Sequence, residues 1–393
     1  MDIYSIVREG AYFYSPTKII FGVGSLKGLQ EELKRLKIYR VLIIADNVLF
    51  SLNIIDRVLS YIRESIKSVE FYHVSEEPGI NEFNKVAQFV RNNQFDGIIG
   101  IGGGSTLDTA KIASISSTNT GDILNFIGIN KIKYRGIPLI LIPTTAGSGS
   151  EVTRIAVVKV SYGGIEVKRG IASEYLLPDT VIVDPELTVT LPPKLTAITG
   201  LDALAHAIEG LTSTLSTPIT DSLALTSITL ILRYLYKAYI NGNDIEARTY
   251  MSLAAMLGGL VVGNAGATLG HFIGETVGPI YNIPHGLAVG VSLPYIIKFY
   301  SNIIESKIAF HRMILNIDSK DAVRNIIKKL VRLYKEMNIP LSLRELNIDR
   351  NDLPKLAEVT LKYKVKATTP IDLDKETLLK IYERMWEGNM DIE

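Results

Sequence analysis

Asp202 and His206 stand four residues apart in the alanine- and leucine-rich stretch from Gly200 to Glu209, so on a helix their side chains lie one above the other. Two more of the chain's five histidines follow, His271 just after Gly270 and His285 between Pro284 and Gly286. One carboxylate with imidazoles drawn from separate segments forms a donor set suited to Fe²⁺ or Zn²⁺. An isolated Asp-x-x-x-His pair is ordinarily a hydrogen-bonded surface pair. What points to a metal is the later histidines, set among small residues that let backbones approach closely. Glu209 shares the helical stripe of Asp202 and His206. It reads as a solvated helix acid, with support of a ligand as the other choice. His73 and His311 lie outside the pattern.

A second cluster suits phosphate. An apolar run from Gly97 leads through Gly102, Gly103 and Gly104 into a helical pattern containing Ser105, Asp108 and Lys111. Glycines let the backbone approach phosphates, and a helix N-terminus offers them free N–H groups and a positive dipole end. Ser105 and Asp108 read otherwise as N-terminal caps. The loop is neither Gly-x-Gly-x-x-Gly at the first strand nor a Walker loop, since no Gly-Lys-Ser/Thr follows. Asp46 closes the apolar run Arg40 to Ala45, where a carboxylate accepts from an adenosine ribose and repels a 2′-phosphate; a turn residue is the plainer alternative. Pro143 to Thr153, crowded with glycines and hydroxyls, reads as a groove wall or as a flexible hairpin loop.

The elements that must position these residues change character near Leu191-Pro192-Pro193. Before it, Arg40–Ala45, Gly97–Ile101, Ile137–Ile142 and Thr180–Val183 read as buried strands, and Asn81–Asn92 as a helix with Val86, Phe89 and Val90 on one stripe. Strand, helix, strand at this spacing predicts a parallel α/β sheet. After it the β signal vanishes and long amphipathic segments follow, among them Asp221–Ala238, Asp244–Gly258 and Asp321–Met337. Two domains, 1–192 and 193–393, are expected. With 42 basic and 41 acidic residues and no basic tract, nothing advertises nucleic acid or an anionic membrane as partner. No uninterrupted apolar run reaches membrane length and no secretory pattern opens the sequence, so a cytoplasmic location is expected. The absence of cysteine excludes disulfides, thiolate ligands and a Cys nucleophile.

The whole pattern resembles the iron-containing (group III) alcohol dehydrogenases over nearly its full length. The resemblance rests on Phe21 to Gly24, the triple-glycine loop, Pro143 to Thr153, Val183 to Leu187, and the helical region from Gly200 to Pro294. It implies a dehydroquinate synthase-like architecture: an N-terminal Rossmann-like parallel α/β dinucleotide-binding domain and a C-terminal all-helical metal-binding domain. The family's metal ligands fall on Asp202, His206, His271 and His285. Its NAD contacts fall on Asp46, Gly102, Gly103, Gly104, Ser105, Asp108, Thr144, Thr145 and Ser148, with Lys168 at the nicotinamide ribose. The implied reaction is reversible hydride transfer between a small alcohol and NAD, with Fe²⁺ or Zn²⁺ as Lewis acid toward the substrate oxygen. Relatives are usually homo-oligomers, commonly dimers through the N-terminal strands.

Two departures stand out. Relatives usually carry a histidine where this chain has Glu275, near substrate and coenzyme. A carboxylate beside a divalent cation stays ionised. Glu275 would act as base, orient a substrate hydroxyl, or bind the ion in a cage of Asp202, His206, His271 and Glu275 that omits His285. The other departure is the acidic Glu76-Glu77-Pro78-Gly79, which should further disfavour NADP. The same scaffold serves glycerol and polyol dehydrogenases and dehydroquinate synthase. The last would need basic residues converging near the metal, and none lies between Gly266 and Gly290. A non-catalytic NAD- or metal-binding regulator is the reading from another class.

Overall fold

Runs of Val, Ile and Leu too short for helices form the strands of this protein. The computed structural model describes residues 12–75, 78–162, 165–315, 321–363 and 367–390. Two compact units emerge, one of Ser15–Pro192 with Gly242–Gly259, the other of Pro193–Asn241, Leu260–Glu393 and the described part of Met1–Tyr14.

The first unit carries β1 (Lys18–Phe21), β2 (Arg40–Asp46), β3 (Ser68–Val74), β4 (Gly97–Gly102), β5 (Gly128–Ile129), β6 (Leu139–Pro143), β7 (Ile155–Tyr162), β8 (Ile165–Ala172) and β9 (Thr180–Val183). Six of them build one parallel sheet in the order β1-β9-β6-β4-β2-β3. Helices α1 (Leu29–Leu36), α2 (Asn47–Ser51), α3 (Ile54–Ile62), α4 (Ile80–Asn92) and α5 (Gly104–Ser116) accompany the strands. Val41, Ile43, Ile99, Ile101, Ile140 and Ile142 share a core cluster with Leu29, Leu33 and Val58 of the helices. Central strands buried on both faces need continuous apolar runs, which is why they were legible as strands. β1, β3 and the antiparallel pair β7–β8, which forms a small sheet with β5, add to the four strands expected from sequence. Register sets Gly102 of β4 against Pro143 of β6, and Ala45 of β2 against Ile101 of β4. The carboxyl ends of three neighbouring strands therefore carry Asp46, the glycine loop and Thr144 side by side, where open α/β sheets bind ligands.

The second unit has no strand among its described residues. It is built from α6 (Pro193–Thr212), α7 (Pro218–Ile240), the end of α8 (Ile245–Ala265), α9 (Leu269–Tyr281), α10 (His285–Phe299), α11 (Ser301–Leu315), α12 (Ala322–Glu336), α13 (Leu353–Leu361) and α14 (Lys375–Glu387). By length and composition alone α7 and α8 could cross a membrane, although no uninterrupted apolar run is that long. In α7 the apolar Ala224, Ile228, Ile231, Leu235 and Ala238 are buried within the protein. Asn282, at φ +53°, ends α9, and Pro284 starts α10 two residues later. Glycines let these helices approach α6 and each other. A Cβ on Gly274 would stand 2.3 Å from Val289, and one on Gly286 would stand 2.5 Å from the Ile198 carbonyl oxygen. Both histidine-bearing segments are thus held where side chains of ordinary size would keep them apart.

Candidate metal centre and coenzyme loop

α6 is buried at every position from Gly200 to Thr212, so Asp202, His206 and Glu209 face protein rather than water. Asp202, His271 and His285 each direct one donor atom to a common point, all within 4.8 Å of one another. Asp202 Oδ1 lies 3.8 Å from His271 Nε2 and 3.7 Å from His285 Nε2, too far for hydrogen bonds. Two ligands about 2.0–2.1 Å from one ion in a tetrahedron stand about 3.4 Å apart, close to these separations. His206 stacks on His271, ring centroids 4.7 Å apart, and the His285 ring stands edge-on to His271 at 5.5 Å. His271 Nε2 is buried and makes no hydrogen bond. A buried, unbonded nitrogen facing a carboxylate and a second imidazole fits a divalent cation.

The far side of His271 corrects the expectation for Glu209. Rather than a solvated acid, Glu209 is completely buried. Its Oε1 accepts from His271 Nδ1 at 2.8 Å, and its Oε2 accepts from the backbone N–H groups of Thr268 at 2.6 Å and His271 at 3.2 Å. A carboxylate on one ring nitrogen fixes the imidazole and turns the other nitrogen toward the ion. Burial pushes the His271 imidazolium pKa down, but Glu209, then Asp202 and Glu275, outweigh it and hold it up at about 9. Gly270 makes room for this acid, since a Cβ there would lie 2.5 Å from Glu209 Oε1.

In the first unit, Gly102 sits at φ +155°, where L-residues are strained, and a Cβ would meet Thr106 at 2.7 Å. Gly103 begins α5 with no side-chain cap, leaving the terminal N–H groups without that competitor. The Pro143–Thr153 segment forms the facing wall. Thr144 N–H donates to the Gly102 carbonyl at 3.0 Å, and a Cβ on Gly104 would stand 2.9 Å from Ser148 Oγ. Thr145 is half-buried and Ser105 exposed. Asp46 caps α2, accepting from Leu49 N–H at 3.1 Å. Lys168 is half-buried on β8, opposite Lys159 of β7. Asp108 lies on α5, behind the glycine loop. It is buried, and its carboxylate accepts from Ser150 Oγ, Val157 N–H and the Lys111 ammonium.

Glu151 lies fully buried beside this group, and burial, only partly offset by a backbone hydrogen bond and Lys111, pushes its pKa up to about 7. An acid whose folded pKa is raised contributes stability at low pH that is lost as pH rises through the folded value. The window is therefore about pH 4.5 to 7. Glu151→Gln should remove roughly 2–3 kcal/mol of the stability loss between pH 5 and pH 8. Denaturant midpoints at the two pH values check it, and equal losses in both proteins would refute it.

A family model described as iron-containing alcohol dehydrogenase matches residues 16–185, and one for the C-terminal part of the Fe-containing alcohol dehydrogenase family matches residues 196–386. Long-chain-alcohol dehydrogenase 1 of Geobacillus thermodenitrificans is 36% identical over 379 residues, covering 94% of this chain and 95% of its own. The chain belongs to the iron-containing alcohol dehydrogenase family. Alcohol dehydrogenase 4 of Saccharomyces cerevisiae is 33% identical over 377 residues, covering 95% and 98% of the two chains. The solved alcohol dehydrogenase from Oenococcus oeni superposes with a TM-score of 0.88 at 30% identity, over 96% of this chain and all of its own.

Of the two departures noted in the sequence, Glu275 can be placed. Glu275 is half-buried on α9, one turn beyond His271, near enough for its charge to act on that imidazole. The atoms that converge are those of Asp202, His271 and His285, so the arrangement favours a set that includes His285 over the cage that omits it. Glu76 and Glu77 lie outside the described residues.

Proposed function

We propose that this chain catalyses reversible, NAD-dependent oxidation of a small alcohol to its carbonyl compound. In this reading residues 1–192 serve mainly the coenzyme and residues 193–393 the metal. Asp202, His206, His271 and His285 would hold one divalent ion, Fe²⁺ or Zn²⁺. The observation that carries the reading is His271, tethered through Nδ1 to a buried carboxylate while Nε2 faces Asp202 and His285. A bound ion supplies Lewis acidity toward the substrate oxygen, and NAD(H) supplies the hydride acceptor or donor.

The protein's own share is binding, orientation and charge. Gly102, Gly103, Gly104 and Ser105 offer the N-terminal amides of α5 to the pyrophosphate, with Thr144, Thr145 and Ser148 on the facing wall. Asp46 accepts from the adenosine ribose, Lys168 meets the nicotinamide ribose, and Asp108 serves from behind the loop. Glu275, as a carboxylate, acts as base toward the substrate hydroxyl or orients it. The chain would work in the cytoplasm as a homodimer without nucleic acid or membrane partners. A glycerol- or polyol-type substrate is the second reading.

Anaerobic purification, elemental analysis and a panel of alcohols with NAD and NADP test this. One tightly held Fe or Zn per chain and NAD-linked turnover are expected; full activity without metal would defeat the reading. Asp46→Asn keeps an N-cap oxygen but removes the charge. It should lower the NAD-to-NADP ratio of kcat/KM about tenfold, since a like charge no longer faces the 2′-phosphate. An unchanged ratio would remove Asp46 from coenzyme selection.

A further inference from the structure

Lys111 is the most completely buried cation of the first unit, and the chemistry proposed above does not use it. It lies on α5, two turns behind the glycine loop, with no solvent exposure. Its ammonium donates to Ser150 Oγ at 2.7 Å, the Ile155 carbonyl at 2.7 Å, Thr153 Oγ1 at 3.1 Å and Asp108 Oδ1 at 3.2 Å. Ser150 Oγ passes its own hydrogen to Asp108 Oδ1 at 2.5 Å, and Asp108 Oδ2 accepts from Val157 N–H at 2.8 Å. Lys111 and Asp108 belong to the helix whose N-terminus completes the glycine loop. Ser150 and Thr153 belong to the facing wall, and Ile155 and Val157 to β7, which follows it. Between the two groups the chain turns at Gly149, whose φ of +61° and whose approach to Gly259, 2.4 Å from a Cβ to its Cα, leave no room for a side chain.

We propose that Lys111, with Asp108 and Ser150, is a positioning clasp that sets the spacing between the two walls of the coenzyme groove. The inference rests on the reading of the Gly102–Ser105 loop as the coenzyme site. The walls already touch: a Cβ on Gly103 would lie 3.5 Å from Thr145 Cγ2, and one on Gly104 would overlap Ser148. With so little slack, a small slide of the wall alters every contact to a pyrophosphate held between them. Apolar packing resists such slides poorly because it is non-directional. A buried ammonium whose three N–H groups are shared among four surrounding acceptors does not tolerate them, because a slide that opens these contacts leaves desolvated polar groups behind. Burial pulls the Lys111 pKa down while Asp108 pulls it up. The pair is thereby tied together as well as tied to the wall.

The test is NADH affinity of the metal-loaded, full-length enzyme, read by fluorescence titration, with steady-state KM for NAD and for alcohol measured separately. Lys111→Met preserves length and removes the charge; Ser150→Ala removes only the bridging hydroxyl and is the variant that decides if Lys111→Met does not fold. The expected result is a rise in NADH Kd and NAD KM of about tenfold for Lys111→Met and about threefold for Ser150→Ala. Metal content, alcohol KM and kcat at saturating NAD should stay close to wild type. Folded variants that bind NADH as tightly as wild type overturn the clasp. So does a parallel decline of thermal midpoint, both KM values and metal content, which would mark a general structural role. Wild-type protein that binds no NADH would instead refute the coenzyme reading itself.

Discussion

Replacing His271 with alanine is expected to lower turnover by about 10³-fold or more and to strip the ion from the protein, while NADH binding persists. A Lewis acid contributes several kcal/mol to hydride transfer from an alcohol, and each 1.4 kcal/mol is a factor of ten in rate. The loss has a structural component as well. His271 is buried and holds Glu209 through Nδ1, so its removal leaves a desolvated carboxylate short of a donor, and the folded state should weaken by about 3 kcal/mol. His285→Ala separates the two effects. The His285 side chain is 29% exposed, so truncation should cost under about 1 kcal/mol of stability. It should nonetheless empty the site as thoroughly as His271→Ala, since the two imidazoles face the same carboxylate oxygen. Elemental analysis, thermal midpoints and alcohol turnover of both variants check this. A His285→Ala enzyme that keeps its metal and its rate would shift the ligand set toward Asp202, His206, His271 and Glu275.

Much of this arrangement is legible in the sequence. The central strands announce themselves because burial on both faces demands unbroken apolar runs, and Arg40–Asp46 and Gly97–Gly102 satisfy that demand. The glycine loop was legible because strand, glycines and helix follow one another at the spacing a phosphate site requires. The histidines stood out by rarity. What was hidden is harder to see for a common reason. A lone acid or lysine within a helical pattern is normally solvated, and that expectation misplaced Glu209 and passed over Lys111. In both cases the neighbouring residues held the corrective signal. Gly200 to Thr212 and Thr106 to Ser116 have no exposed position, Glu209 and Lys111 included. A helix without a solvent face cannot offer its charges to water. Such a charge must find a partner inside, as Glu209 does on His271 and Thr268, and Lys111 on Asp108, Ser150, Thr153 and Ile155.

β7 and β8 were missed for a different reason. Gly163-Gly164 between two β-branched runs is a hairpin signal in its own right. An expectation of parallel βα units left no place for it. β3 is an edge strand of the sheet whose positions are exposed or half-buried except for Val74, so it lacks the continuous apolar run that marks β2 and β4.

The charge on Glu209 should prove as necessary to the metal as the ligands themselves, and Glu209→Gln is the variant that isolates it. Glutamine has the same shape but one acceptor oxygen. The Thr268 and His271 backbone N–H groups, both on Oε2 in the native protein, compete for it. Whichever end the oxygen takes, the opposite position receives an NH₂ group that can only donate. If the NH₂ faces His271 Nδ1, the imidazole must carry its proton on Nε2, the nitrogen that faces Asp202 and would bind the ion. Metal affinity should fall about 10- to 100-fold, the usual scale for losing the partner of a ligating histidine. Glu209→Ala should go further and unfold more easily by about 3–5 kcal/mol, since it strands several buried donors at once. Gly270→Ala attacks the same contact from outside, because its methyl would occupy space 2.5 Å from Oε1. It should reproduce the weakened metal binding with the acid still in place. Competition against a graded series of chelators measures all three. Equal retention of metal by Glu209→Gln and wild type would show that the buried carboxylate serves the fold alone. Weak retention restored by raising the metal concentration, with turnover recovering in step, would place its action on the ion through the His271 ring.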